Sequence, residues 1–370
     1  MHETEALAQT RWDMDICNAC RYCEGYCAVF PAMELRREFT NGDLSYLANL
    51  CHNCKDCFYA CQYSPPHEFG VNLPKAFAEL RAESYANYAW PRFLSVLIKR
   101  NALATSLVTA LAVALVLIGV GLFRSPDVLL GQHHGPGSFY RIIPWDVMAG
   151  LAGAFFLFAL LCLTVSGIAF WRDTGGHVRT KVDAIALRNG MMDALTLRNL
   201  GGGGQSCNDT NESFSQGRRH LHHALFYGFL LCFASTCVAT FYDHFLGLLA
   251  PYPVFSLPVI LGVLGGAGLM AGTAGFAYLK LISDPAPGAQ KVLGADYALL
   301  VLLFLTAFTG MLLLVLRESA AMGLVLAVHL GLVLALFLLM PFGKFVHGLY
   351  RTLALVRNAA EKRGGAVVQG

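Results

Sequence analysis

Cys17-Asn-Ala-Cys20-Arg-Tyr-Cys23-Glu-Gly-Tyr-Cys27 and Cys51-His-Asn-Cys54-Lys-Asp-Cys57-Phe-Tyr-Ala-Cys61 are two copies of one pattern, C-x2-C-x2-C-x3-C. Cysteines at i, i+3 and i+6 wrap a tight turn around one face of an iron–sulfur cubane, while the fourth points away. In two-cluster ferredoxins that fourth cysteine ligates the other cluster. The spacing therefore predicts one [4Fe–4S] site from Cys17, Cys20, Cys23 and Cys61, and a second from Cys51, Cys54, Cys57 and Cys27. A pair of four-cysteine zinc sites is the competing reading, but zinc usually takes two separated C-x2-C pairs. Ala28 and Gln62 stand where a small ferredoxin carries proline after the fourth cysteine, so potentials are expected to differ while ligation is not. Between the runs, Leu35, Phe39, Leu44, Leu47 and Leu50 recur at helical spacing, with Asn41-Gly42-Asp43 as the expected break. Two short helices fit this segment, and an all-helical ferredoxin domain is expected over residues 1–95.

Outward from the cysteines the composition changes. Only 14% of the 370 residues are charged and 56% are hydrophobic, against roughly 25% charged in soluble domains. Disorder and an ordinary soluble enzyme are excluded, and a net charge of +3 gives no argument for nucleic acid. Uncharged runs at about 101–123, 146–170, 221–242, 254–279, 294–316 and 320–342 each approach or exceed the roughly 20 residues that cross a bilayer. The expected fold is thus mainly α: the ferredoxin domain, a six-helix transmembrane bundle over 96–350, and a tail over 351–370. The fourth span carries Gly262, Gly265, Gly266, Gly268, Gly272 and Gly275, which permit close helix packing.

Met1 to Arg11 has neither the basic start nor the apolar run of a secretory leader, so the cysteine domain is expected in the reducing cytoplasm, where such clusters bind metal. Six spans return the chain to its starting side. Of its 27 lysines and arginines only Arg124, Arg141 and Arg317 fall on the other side, as the positive-inside rule requires. The expected location is the cytoplasmic membrane of a bacterium, with both termini in the cytoplasm and lipid around the bundle. Gly201 to Gly204 lack the Lys-Ser/Thr or strand–helix frame of a phosphate loop and read as flexible or closely packed backbone, and Cys207 reads as a structural thiol.

Histidines form the second constellation. His329 lies within the sixth span, where a polar group needs a partner. His347 follows 18 residues later, which is five whole turns and roughly 27 Å if the helix continues past Pro341. Two ligands on one stripe suit two stacked b-type haems. The third span offers the opposing ligands: His222 or His223 for His347 near the cytoplasm, and His244 for His329 near the outside. Helical phase mildly prefers His222. An interfacial basic cluster with Arg218 and Arg219 is the plainer reading of His220, His222 and His223, a polar helix contact that of His329, and a loop position beside Asp243 that of His244. One haem is therefore more secure than two. Arg218, Arg219 and Arg351 could meet haem propionates or serve as ordinary basic flanks.

Several long strings, in order, resemble the tricarballylate- or citrate-utilization B family. They are the first cysteine run through Pro31, Asn41-Gly-Asp-Leu-Ser-Tyr-Leu-Ala-Asn-Leu-Cys-His-Asn-Cys54, Cys61-Gln-Tyr-Ser-Pro-Pro-His-Glu-Phe69, Leu197-Arg-Asn-Leu-Gly-Gly-Gly-Gly204 and His222-His-Ala-Leu-Phe-Tyr-Gly-Phe-Leu-Leu-Cys-Phe233. The resemblance covers nearly the whole chain. The membrane half is more distantly similar to the haem-bearing gamma subunit of respiratory nitrate reductase, whose 18-spaced histidines on a late helix are haem ligands; that pattern falls on His329 and His347. The resemblance implies a partner, an FAD-dependent dehydrogenase that oxidises tricarballylate, whose reduced FAD the B protein reoxidises toward the quinone pool. A related fusion protein serves cobalamin ring synthesis, so the membrane half does not dictate a substrate. Two alternatives stay open: an iron–sulfur membrane anchor without haem, and a zinc-bearing scaffold without redox function. No nucleophile–base pair or dinucleotide fingerprint points to substrate chemistry in this chain.

Overall fold

The computed structural model describes residues 4–174, 181–202 and 206–364. Helices account for nearly all regular structure, and among the described residues the only strand-like pairing is an isolated bridge between Cys207 and Ser215. The N-terminal domain consists of α1 (Glu5–Cys20), α2 (Val29–Glu34), α3 (Asn41–Leu50), α4 (Asp56–Tyr59) and α5 (Leu73–Tyr88). Each longer helix starts where a polar side chain satisfies its free N–H groups. Thr4 caps α1, Asn72 caps α5, and Thr40 with Asp43 closes a capping box on α3. Asn41-Gly42-Asp43 is accordingly the first turn of α3 and not the expected break; the capping box outweighs the local turn preference of these residues. Gly42 serves a different need, since a Cβ there would lie 2.2 Å from the carbonyl oxygen of Asp173.

After the short α6 (Ser95–Lys99) come α7 (Asn101–Phe123), the small α8 (Pro126–Leu129) and α9 (Ser138–Ile142), then α10 (Trp145–Asp173), α11 (Ala184–Leu195), α12 (Gly217–Leu246), α13 (Leu257–Ile282), α14 (Leu293–Leu316), α15 (Met322–Leu339) and α16 (His347–Gly364). Six of these, α7, α10, α12, α13, α14 and α15, are long and apolar enough to cross a membrane. The most extensive helix pairing joins α12 and α13, where Gly228, Gly265 and Gly272 bring the two backbones close: a Cβ on Gly265 would sit 2.7 Å from the Cys232 nitrogen. That is the small-residue packing the fourth span promised. The most buried span is α15, which packs on α7, α10 and α14.

The segment expected as a tail is α16 through Gly364, and it is built into the N-terminal domain; residues 365–370 lie outside the described ones. Tyr350, Ala354 and Leu355 share one core with Leu44, Tyr46, Phe77 and Phe170. Within it Arg36 donates to Asp43 (2.7 Å) and to Glu361 (2.7 Å), Tyr46 donates to Glu361 (3.0 Å), and the side chains of both ion pairs are fully buried. In the sequence α16 is a charged stretch, and Arg351, Arg357 and Glu361 meet partners on distant segments: the Cys51 carbonyl, the Trp171 carbonyl and Arg36. Nor does the last span run on to His347: after α15 the chain makes two 3-10 turns, Met340–Phe342 and Lys344–Val346, before α16 starts. Pro341 interrupts the helix there, so a common stripe for His329 and His347 does not hold.

Candidate functional site

The first cysteine cavity, about 210 Å³, is lined by Cys17, Cys20, Cys23 and Cys61, with Cys57 at its inner side and Ile16, Phe30, Phe58 and Leu73 among its apolar walls. The second, smaller and more enclosed, is lined by Cys27, Cys51, Cys54 and Cys57, with His52, Asn53, Lys55 and Asn199. The first cavity thus gathers Cys17, Cys20 and Cys23 with Cys57 and Cys61, and the second Cys51, Cys54 and Cys57 with Cys27, so that Cys57 borders both.

Local backbone explains the gathering. Helix α1 stops at Arg21, whose left-handed conformation (φ 55°) folds the chain back between Cys20 and Cys23. Asn53 (φ 58°) and Lys55 (φ 70°) curl the second run, and the Asn53 N–H donates to the Cys51 sulfur at 3.3 Å. An N–H aimed at sulfur stabilises a thiolate, and hydrogen bonds to sulfur are one of the levers on cluster potential.

Electrostatics follow a similar division, with Cys57 also feeling Cys17 across it. Burial pushes the Cys17 thiol far up, followed by Asp13 and then Cys61, Cys23 and Cys20. Burial pushes Cys27 up to about 12, with Cys51 next, and raises Cys54, with Cys27 and Asp56 next. Buried thiols that repel one another's charge hold protons unless a cation replaces them, so the donor sets fit a metal centre, an iron–sulfur cluster among them, that neutralises the thiolates. Among the described residues no three His, Cys, Asp or Glu side chains converge as around a single metal ion.

A loop covers the second cavity. The Asn208 N–H donates to the Cys54 carbonyl at 2.9 Å, and Gly202 (φ 58°) abuts Asp56, where a Cβ would meet Oδ2 at 2.4 Å. Gly202 therefore reads as closely packed backbone, Gly201 is buried with room to spare, and Gly203 and Gly204 lie outside the described residues. Cys207 is fully buried and donates to the Leu200 carbonyl at 3.1 Å, a structural thiol as expected.

Beside this cavity lie His222, one turn into α12, and His347, at the start of α16, with ring centroids 6.3 Å apart. A metal-bound imidazole nitrogen sits about 2 Å from its ion, so two rings on opposite sides of one ion stand roughly 6 Å apart. His347 Nδ1 donates to the Lys344 carbonyl at 2.6 Å, which fixes the proton on that nitrogen and leaves Nε2 free to ligate. Burial, then Arg351 and His222, hold His347 down to about 3, in the neutral form a metal needs. His222 Nδ1 is buried without a hydrogen-bond partner. These features fit bis-histidine ligation of a haem.

The other candidates face elsewhere. His223 turns outward, with Nε2 3.2 Å from the Thr196 carbonyl and its ring stacked on Tyr227. His244 stacks on Trp145 (5.7 Å, 14°), and His329 Nδ1 meets the Thr309 hydroxyl at 3.0 Å. The structure brings His222 and His347 together and gives His244 and His329 separate partners.

Two arginines join the histidine pair to the second cavity. Arg218, one turn before His222, donates to the carbonyls of Asn53 and His52; Arg351, one turn after His347, donates to that of Cys51 at 2.8 Å. Arg81 on α5 also reaches the Cys51 carbonyl, at 3.1 Å. Sequence reading missed Arg81, His52 and Asp13. Arg81 did leave a signal, a charge on the apolar stripe of Phe77, Leu80 and Tyr85.

The family model described as citrate utilization protein B matches residues 96–367, and the citrate utilization protein B Fer4-like domain matches residues 10–87. A curated relative, citrate utilization protein B of Escherichia coli, is 46% identical over 366 residues, covering 98% of this chain and 94% of the relative. No solved structure matches.

Proposed function

The chain belongs to the citrate utilization protein B family, and from that premise we propose that it is a membrane electron-transfer protein. It reoxidises the reduced FAD of a partner dehydrogenase, tricarballylate dehydrogenase, and delivers the electrons toward the quinone pool of a bacterial cytoplasmic membrane. The cysteine domain and both termini face the cytoplasm, where the flavoprotein docks.

The observation that carries this reading is the order of sites: an outer cysteine cavity, an inner one sharing Cys57 with it, and a part-buried histidine pair tied to the inner one through Arg218 and Arg351. Cys17, Cys20, Cys23 and Cys61 hold one [4Fe–4S] cluster, Cys51, Cys54, Cys57 and Cys27 the second, and His222 with His347 one b-type haem. When bound, these centres supply one-electron redox steps between a two-electron flavin and a quinone. The chain's own residues do the rest. The thiols give up their protons on loading, Lys344 orients the His347 imidazole, and Ile16, Phe30, Phe58 and Leu73 keep the outer cavity apolar. A second haem would have to use His244 and His329.

The test is an anaerobic optical and EPR titration of the purified protein and of His222, His223, His244, His329 and His347 alanine variants. Two clusters require about eight irons and eight acid-labile sulfides per chain. A haem α-band lost on His222→Ala and His347→Ala alone is expected. Iron-free protein after oxygen-excluded preparation with cofactor supplied would sink the reading, and cluster signals without any α-band would leave the haem-free anchor.

A further inference from the structure

The two cysteine cavities differ in the charges set around them. Beside the first stands Asp13, fully buried, one turn before Cys17, accepting from Gln9 Nε2 (2.9 Å) and from the Asn72 N–H (3.2 Å). Around the second, five backbone carbonyls at the end of α3 and just beyond it, those of Ala48, Asn49, Cys51, His52 and Asn53, receive guanidinium groups: Arg351 on Asn49 and Cys51, Arg81 on Ala48 and Cys51, Arg218 on His52 and Asn53. Lys55 adds a fourth cation, its ammonium donating to Ser283 (2.6 Å) and to the Asp209 carbonyl (3.2 Å). Asp56 and Asp209 are the opposing carboxylates, and Asp209 accepts from the Arg218 N–H at 3.3 Å.

A helix C-terminus welcomes positive charge, so one arginine there would need no further explanation. Three converging on one ligand loop exceed that need. Two of them belong to the elements that carry His222 and His347. Arg81 and Lys55 are buried and Arg218 and Arg351 part-buried, so solvent screens these charges less than at an open surface. Reduction of a cluster adds one negative charge, which nearby cations stabilise and a nearby carboxylate opposes.

On the electron-transfer reading above, we propose that Arg351 and Arg218 are positioning residues that hold the second cysteine site on the histidine pair and raise its reduction potential above that of the first, giving electron flow its direction toward the membrane. One electron lost by the first site is gained by the second, with no bond or proton changed. The donor is the partner's reduced flavin and the final acceptor a quinone.

The experiment is an anaerobic EPR-monitored redox titration of the full-length loaded protein, comparing the native chain with Arg351→Gln, Arg351→Lys and Arg218→Gln. Glutamine keeps an N–H for the carbonyls and removes the charge; lysine keeps the charge. For each glutamine variant one cluster midpoint should fall by a tenfold change in its equilibrium or more, which is 59 mV for one electron. The other midpoint should stay, and lysine should restore most of the difference. Unchanged midpoints in both glutamine variants, or a lysine variant shifted as far as glutamine, would overturn the proposal. Loss of clusters in both Arg351→Gln and Arg218→Gln, judged by iron per chain, would reduce the arginines to a structural clamp and overturn it equally. Failure of the parent reading looks different, since the native chain itself would then show no cluster signals.

Discussion

The two cysteine cavities derive from one repeated motif, yet the fold treats them oppositely. The first opens outward between α1 and the Tyr63 turn, with half-exposed Trp12 and strongly exposed Tyr22 nearby. The second is closed over by the loop around Asn199 and Asn208, braced by three arginines, and joined to the bundle through α12 and α16. Identical ligand spacing therefore does not make equivalent sites. Position relative to the membrane half decides exposure, charge and neighbours, the levers on potential.

The sharpest way to break this contrast is to remove one cysteine from each cavity. Cys54→Ser, at a position 8% exposed beneath the covering loop, should lower iron by half or more and loosen the domain against α16. Cys20→Ser, in the open cavity, should leave the signals of the inner cluster intact. Iron analysis and EPR read both, and equal damage would mean that the cavities are not distinct. Next in size, His347→Ala should abolish haem binding while His223→Ala retains it, as measured by haem per chain; the reverse result would move the ligand to the outward-facing ring.

Smaller in effect is the lock between α16 and the N-terminal domain. Glu361→Ala leaves Arg36 charged and buried beside Asp43 alone. Removing one member of a buried pair costs about 3–5 kcal/mol, so thermal unfolding should shift down clearly, with the inner cluster lost before the outer one. An unshifted transition would show that the lock contributes nothing. At the outer rim, Trp12→Ala removes only an edge contact with Phe69 and one indole hydrogen bond. Because aromatic pairs are worth about 0.5–1.5 kcal/mol, stability should change by about 1 kcal/mol and both clusters should survive. A larger loss would mean that the open cavity is as tightly built as the closed one.

Much of this site is legible in the amino-acid sequence. The repeated three-plus-one motif and the close helix packing of the glycine-rich fourth span can be read from spacing along the chain; that α12 is the helix packed there cannot. The preference for His222 over His223 is only faint in the helical phase; the Thr196 carbonyl and Tyr227 hold His223 away. The break expected near Asn41 does not form because those residues suit a helix start as well as a turn, and only the capping box distinguishes the two. A continuous helix from His329 to His347 fails at Pro341, where two 3-10 turns intervene.

By itself, then, the sequence determined an all-helical N-terminal domain, six bilayer-length helices and two repeated cysteine runs. Periodicity and ligand spacing are properties of neighbouring residues, so the chain carries them whatever its long-range contacts. Tertiary structure alone decided that α16 is part of the N-terminal core, that Arg81, Arg218 and Arg351 meet on one ligand loop, and that His222 faces His347. Those contacts join segments up to some three hundred residues apart, and they form because burying each charge or imidazole requires a partner that no local pattern can name.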